Sequence, residues 1–283
     1  MADSAGADSA GADSAEVETR RYAGGKMLAR VSDAIGTVVF NQPEKHNAIS
    51  LDMWDGMAEI LDAFAADPTV HVVVLRGAGE RAFVSGADIS QFEAERNDAE
   101  AQIHYERRTR AGRARLAGFE KPVIAAIRGF CLGGGLGIAL AADLRLAAAD
   151  AVFGIPAARL GLAYGFDMTR QLVATVGPAA ARMLLYSGER IDAAEAMRIG
   201  LVNRSVAVAE FDAALAALAG RIAANAPLSI AAAKRAVAAS LADPEARDIP
   251  GLDAAIKACF DSADYREGRA AFREKRPPRF TGS

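Results

Sequence analysis

The chain has 283 residues, 52% of them hydrophobic and 24% charged, which is enough for one sizeable buried core. A net charge of −3 gives no electrostatic reason to expect a nucleic-acid or anionic-membrane partner. Two distant cysteines, Cys131 and Cys259, each in an apolar segment, read as buried reduced thiols, and three scattered histidines with no CxxC give no support to a metal site.

Residues 1–17 repeat a small, acidic five-residue unit with nothing apolar to bury, and read as a disordered tail. They lack the basic start and apolar stretch of a secretory signal. No apolar run reaches the roughly 18 residues of a membrane span, the best being Leu132 to Ala142, so the cytoplasm is the expected compartment.

From Lys26 onward, short β-like runs alternate with helices. "MLARVS" (27–32) and "GTVVFN" (36–41) read as a hairpin, and residues 51–67 as an amphipathic helix capped by Ser50. Residues 70–77 form a buried strand. The unit then repeats with a strand at 121–129, a helix at 133–142 and a strand at 143–148. Beyond "FGIPAARLGLAYG" the pattern is mostly helical, near 167–176, 178–186, 192–199, 210–224, 228–241 and 252–272. This order predicts an α/β core over residues 18–205 and a helical region over 206–283. Alanine-rich helices that carry apolar residues on several faces usually pack against a core or another subunit.

Two loops lead from strands into helices, "RAFVSGADISQF" (81–92) and "GFCLGGGLGIAL" (129–140). A helix mouth exposes unpaired N–H groups, and glycine lets a ligand oxygen approach the backbone, so two such loops can make an oxyanion hole. The structural alternatives are that Gly133 to Gly135 serve tight helix–strand packing, and that "SGAD" is a turn ending in a cap at Asp88. Neither a GxGxxG nor a GxxxxGK spacing is present, and Phe83 stands where a GxSxG elbow around Ser85 needs glycine.

With "NQPEKHNAIS" (41–50), "FVSGADISQF", "KPVIAAIRGFCLGGGLGIALAADLRLA", "YSGERIDAAEAMRIGLVNRSV" (186–206) and "CFDSADYREGRAAFREKRPPRFTG" (259–282), the chain resembles the crotonase, or enoyl-CoA hydratase/isomerase, superfamily from Lys26 to Gly282. The resemblance implies an α/β spiral of ββα units, a C-terminal helical trimerisation region, and a homotrimer or dimer of trimers. It implies an acyl-CoA thioester as substrate, with CoA entering as part of it and no separate cofactor or metal. The backbone N–H groups of Ala87 and Gly134 would hold the thioester oxygen and stabilise an enolate. Lys45, Ala48, Ala87, Asp88, Ile89, Ser90 and Gly134 would border the substrate. Phe260 and Lys275 would reach the CoA of a neighbouring subunit.

The family's two catalytic glutamates are missing. The first position, one helical turn after the oxyanion glycine, is Gly137, and the second, after the proline of "FGIPA", is Ala157. Neither can move a proton. Tyr164 and Asp167, in the following loop, are the candidate replacements, with space filling as the alternative for Tyr164 and an N-cap on the helix from Met168 as the alternative for Asp167. His104 and Glu106, two residues apart on a helix, face different directions and read as solvated. Arg128 and Arg159 are further polar candidates, but an arginine is no ordinary base. Asp143 matches a structural acid of the family, and Cys131 a small core residue.

Overall fold

The structure, a computed structural model, describes residues 18–88 and 99–283. The expected tail over residues 1–17 lies outside them. The chain opens with an antiparallel meander of β1 (Arg20–Tyr22), β2 (Met27–Ser32) and β3 (Ile35–Phe40). Helix α1 (Leu51–Ala66) then leads to three successive strand–strand–helix turns. The first is β4 (Val72–Gly77), β5 (Ala82–Val84) and α2 (Ala99–Ala117); the second is β6 (Val123–Ile127), β7 (Phe130–Leu132) and α3 (Gly134–Ala141). The third is β8 (Leu144–Ala148), β9 (Val152–Gly154) and α4 (Phe166–Ser187).

After them come β10 (Arg190–Asp192), α5 (Ala193–Arg198), β11 (Arg204–Val206), α6 (Phe211–Ala223), α7 (Pro227–Ser240), α8 (Ile249–Asp261) and α9 (Ala263–Glu274). The first strand of each turn joins a seven-stranded sheet ordered β1-β2-β3-β4-β6-β8-β11, parallel from β3 onward. The second strand joins a smaller sheet ordered β10-β9-β7-β5.

The central strands β4 and β6 of the large sheet are apolar at nearly every position because both faces are covered, as parallel sheets require. Val73, Leu75, Val123, Ala125 and Ile127 face the core that holds Met53, Trp54, Met57 and Ile60 of α1. Val72, Val74, Ile124 and Ala126 face Phe211, Leu215 and Ala219 of α6. The corner between the two sheets is tight: a β-carbon at Gly129, where φ is +57°, would stand 2.1 Å from the carbonyl oxygen of Arg81. Glycine is therefore required between β6 and β7.

Arg145 ties the C-terminal end of α3 to its neighbours. Its buried guanidinium donates to the carbonyls of Ala142 (2.9 Å) and Leu201 (2.8 Å). Asp143 is structural, accepting hydrogen bonds from the Val123 N–H at 2.7 Å and from Lys234 Nζ at 2.8 Å.

Several local expectations change. Ser50 occupies the N-cap position of α1 without capping it, because its hydroxyl bonds the Asp52 carboxylate instead of a backbone N–H. The helix expected over 252–272 is two helices. Ser262 leaves helical geometry (φ −71°, ψ 158°) and its Oγ accepts the N–H of Tyr265 at 3.0 Å, stopping one helix and capping the next. Cys131 is buried, but Cys259 on α8 is only half-buried. No single helix among the described residues is long and apolar enough to cross a membrane.

Candidate active site

The two glycine-containing loops meet at the ends of β5 and β7. A one-residue parallel bridge joins Ile49 to Ala87: the Ile49 N–H donates to the Gly86 carbonyl at 2.8 Å, and the Asp88 N–H to the Ile49 carbonyl at 2.9 Å. That pattern uses the groups on either side of Ala87 and turns its own N–H the other way. On the second loop, the Gly133 N–H donates to the Gly154 carbonyl at 2.9 Å, and Gly134 follows as the first residue of α3. A β-carbon built on Gly134 would lie 3.7 Å from the Ala87 nitrogen. Among the described residues neither the Ala87 nor the Gly134 N–H donates a hydrogen bond. Two adjacent unused backbone donors at a helix mouth can hold one oxygen that carries negative charge.

The three glycines divide their work. Gly133 turns the chain at φ +50°. Gly135 serves packing, since a β-carbon there would stand 2.0 Å from the Val84 carbonyl oxygen. Gly134 leaves the space beside Ala87 open.

Lys45 and Asp88, from the two segments that the Ile49–Ala87 bridge joins, form an ion pair at 2.8 Å, with the Asp88 carboxylate nearly buried. Asp88 is thus an ion-pair partner; its reading as a helix cap turns on residues 89 onward, which lie outside the described residues. The bond to Asp88 holds the Lys45 pKa above its usual value. Ala48 is buried in the same segment, its N–H bonded to the Lys45 carbonyl at 3.1 Å. Ile89 and Ser90 lie outside the described residues. Phe260 is exposed on α8, edge-on to Tyr265, and Lys275 follows α9 in a left-handed conformation. Both belong to the C-terminal helices and not to the strand ends that carry Ala87 and Gly134.

The position one turn into α3 is filled from across the site. A β-carbon on Gly137 would stand 2.8 Å from Met168 Sδ and 3.5 Å from the Tyr164 hydroxyl. Space for a water, an anion or an acyl branch at Gly137, as its bare backbone would suggest, is taken by these two side chains. The Tyr164 hydroxyl donates to the Gly133 carbonyl at 3.3 Å. Burial pushes its pKa upward, so it is a phenol at neutral pH and not a base.

Asp167 is neither a cap nor free to act. Helix α4 begins one residue earlier than expected, with Gly165 at its N-cap, and the Asp167 carboxylate is held by Arg110 Nε at 2.7 Å and its second nitrogen at 3.2 Å. His104 and Glu106 have exposed side chains. Arg128 pairs with Glu80 and Asp150, each at 3.1 Å, while Arg159 is exposed. Burial raises the Cys131 pKa, so it stays a thiol.

Two residues that sequence reasoning missed stand here. Met168 is one. The other is Arg113 on α2, half-buried, whose guanidinium lies 5.9 Å from the centre of the Trp54 ring and near Tyr164 and Asp167. The signal for Arg113 was its spacing of three from Arg110, which puts both on one helix face.

The sequence profile of the enoyl-CoA hydratase/isomerase family matches residues 30–283. The chain belongs to that family. As a family member it is 36% identical over 242 residues to the short-chain-enoyl-CoA hydratase of Clostridium acetobutylicum, covering 86% of this chain and 92% of the relative. It is 37% identical over 251 residues to the crotonyl-CoA hydratase of Syntrophomonas wolfei, covering 88% and 95%. The fold matches the crystal structure of an enoyl-CoA hydratase/carnithine racemase from Magnetospirillum magneticum with a TM-score of 0.87 at 41% identity, over 91% of this chain and 96% of that one. The family's α/β architecture is therefore the fold of this chain.

Proposed function

We propose that this enoyl-CoA hydratase/isomerase family member processes an acyl-CoA thioester by holding the thioester oxygen between the N–H groups of Ala87 and Gly134. The observation that supports this reading is that both N–H groups are unused among the described residues and lie side by side at the mouth of α3, where a β-carbon on Gly134 would stand 3.7 Å from the Ala87 nitrogen. Negative charge that moves onto the oxygen as an enolate or a tetrahedral adduct forms is stabilised there. Lys45, Ala48, Asp88, Ile89 and Ser90 line the CoA side. Phe260 and Lys275 act on the CoA of a neighbouring copy in a trimer or dimer of trimers. The exposed Val237 on α7, Leu241 just after it, and Ile249, Ile256 and Phe260 on α8 support that assembly. The chain works in the cytoplasm and takes no cofactor besides the CoA of its substrate.

Ordinary hydration is not this site's efficient reaction. Gly137 and Ala157 carry no carboxylate, Asp167 is engaged by Arg110, and Tyr164 stays protonated. The relatives are named for short-chain enoyl-CoA and crotonyl-CoA hydration. Here the supported classes are those that need no enzymic carboxylate pair: thioester hydrolysis, decarboxylation or carbon–carbon cleavage. The same missing carboxylates favour a second reading, a catalytically silent acyl-CoA-binding subunit. Incubation with enoyl-, β-keto- and malonyl-type CoA esters, followed by mass spectrometry, separates the two. Consumption of any ester supports the enzyme; binding of every ester with turnover of none establishes the silent subunit.

A further inference from the structure

The peptide unit between Gly133 and Gly134 has the Gly133 carbonyl at one end and the Gly134 N–H at the other. The unit is planar and trans, so the two groups point in opposite directions, and whatever fixes the carbonyl also aims the N–H. Little in the chain itself fixes it. Gly133 has φ +50° and ψ −114°, a combination that a β-carbon would disfavour, and glycine stands on both sides of the bond. A β-carbon on Gly133 would meet no atom within 4 Å, so packing does not hold the unit from that side either. Rotation of the unit by half a turn would put the carbonyl oxygen where the N–H now points, and a negatively charged ligand oxygen would then be repelled.

Two hydrogen bonds oppose that rotation. The Gly133 carbonyl accepts the Gly137 N–H at 3.1 Å, the first bond of α3, and the Tyr164 hydroxyl at 3.3 Å. Among the described residues Tyr164 makes the one side-chain hydrogen bond to this unit. Its ring is half-buried against the core, beside α3, with the hydroxyl 3.5 Å from the β-carbon position of Gly137. A phenol has one proton to give, and here it goes to Gly133, so none is left for a substrate oxygen. Donation to a carbonyl also polarises the amide it belongs to, which strengthens the N–H at the other end as a donor.

We propose that Tyr164 is a positioning residue for the oxyanion hole: through the Gly133 carbonyl it holds and polarises the peptide unit whose N–H, at Gly134, meets the thioester oxygen. The role rests on the acyl-CoA reading above. It differs from that of a base and from that of a space-filler, because phenylalanine fills the same space but cannot hold the carbonyl.

Infrared difference spectra of acetyl-CoA, labelled with heavy carbon at the thioester carbonyl and bound to the full-length protein, test it. A carbonyl that accepts stronger hydrogen bonds stretches at lower frequency. The downward shift on binding to wild type should shrink in Tyr164→Phe and grow in Tyr164→fluorotyrosine, whose more acidic hydroxyl is the stronger donor. Without ligand, the amide-proton resonance of Gly134, read in protein carrying isotope-labelled glycine, should move in the same order, which a phenol acting only on bound substrate would not produce. The Kd for acetyl-CoA should stay within about twofold in Tyr164→Phe, while kcat for any ester that wild type consumes should drop roughly tenfold, short of the 100-fold or more that follows deletion of a donor itself. A Tyr164→Phe protein with the full wild-type shift overturns the proposal, and so does a Gly134 resonance that stays put while the carbonyl shift changes. If the phenylalanine variant does not fold, an unchanged shift in the fluorotyrosine protein overturns it alone. A wild type that binds acetyl-CoA with no downward shift overturns the oxyanion reading instead, and failure to bind overturns the acyl-CoA reading; the positioning role falls with either.

Discussion

Met168 Sδ occupies the space beside Gly137, 2.8 Å from where a β-carbon on that residue would be. A thioether from the start of α4 thus stands where a glutamate side chain on α3 would begin. Restoring the missing pair as Gly137→Glu with Ala157→Glu therefore drives the new carboxylate into Met168. The expected order of crotonyl-CoA hydration is wild type lowest, the double variant above it, and the triple variant with Met168→Ala highest. Loss of the ultraviolet absorbance of the conjugated enoyl thioester, which hydration removes with the double bond, follows the reaction. A wild type as fast as the triple variant would show that hydration here needs neither carboxylate.

Gly135 and Gly137 are two residues apart on α3 but answer to different neighbours. A β-carbon on Gly135 meets the Val84 carbonyl oxygen at 2.0 Å, and backbone cannot move aside cheaply. Gly135→Ala should cost about 3 kcal/mol or more of stability, at the upper end of overpacking effects. At Gly137 the obstacle is a flexible methionine, and replacing a helix-interior glycine returns about 1 kcal/mol. Gly137→Ala should therefore fall within about 1 kcal/mol of wild type. Urea midpoints of the two variants measure the contrast; equal losses would count against the assignment of Gly135 to packing.

Glu267 fastens the C-terminal segment to α9. Its carboxylate takes the Arg276 guanidinium at 2.6 and 2.9 Å and the Arg279 N–H at 2.8 Å, which together lower its pKa from 4.5 to about 2. A carboxyl group whose folded pKa is depressed contributes stability that is complete above its unfolded pKa and is lost as pH falls toward the folded one. The urea-midpoint gap between wild type and Glu267→Gln should therefore be largest at pH 6 and narrow once pH drops below about 4.5. A gap that stays constant down to pH 3.5 would mean that the carboxylate charge is not what holds the segment.

What the sequence made legible follows element length and range. The β2–β3 hairpin, α1, and the apolar runs of β4 and β6 are long enough for periodicity or continuous burial to show. Strands β5, β7, β9 and β10 are three residues each, too short for either signal, and together they form the whole second sheet. The two loops were legible as neighbouring helix mouths because a strand end, a glycine and a helix start are local features, whereas the choice of Ala87 and Gly134 within them came from the family resemblance. Asp167 was misread because what engages it is Arg110, 57 residues away. Met168 over Gly137 and Arg113 over Trp54 are likewise products of helix packing that no local pattern encodes.

The role given to Ala87 belongs to its nitrogen and not to its side chain, so the test must change the backbone. Ala87→Gly keeps the N–H and should retain most of the turnover of whichever ester the wild type consumes. Ala87→Pro deletes the donor. The Ile49–Ala87 bridge does not use that N–H, since its two bonds run through Gly86 and Asp88, so the loop keeps its anchoring. Loss of one oxyanion donor typically costs 100-fold or more in rate, so Ala87→Pro should lower kcat by roughly that factor. The Kd for CoA itself should change far less, because in the proposed binding mode the oxyanion position takes the thioester oxygen and not the nucleotide. Steady-state kinetics paired with CoA titration measures the split. If proline and glycine at position 87 were equally active, the thioester oxygen would have to be held elsewhere.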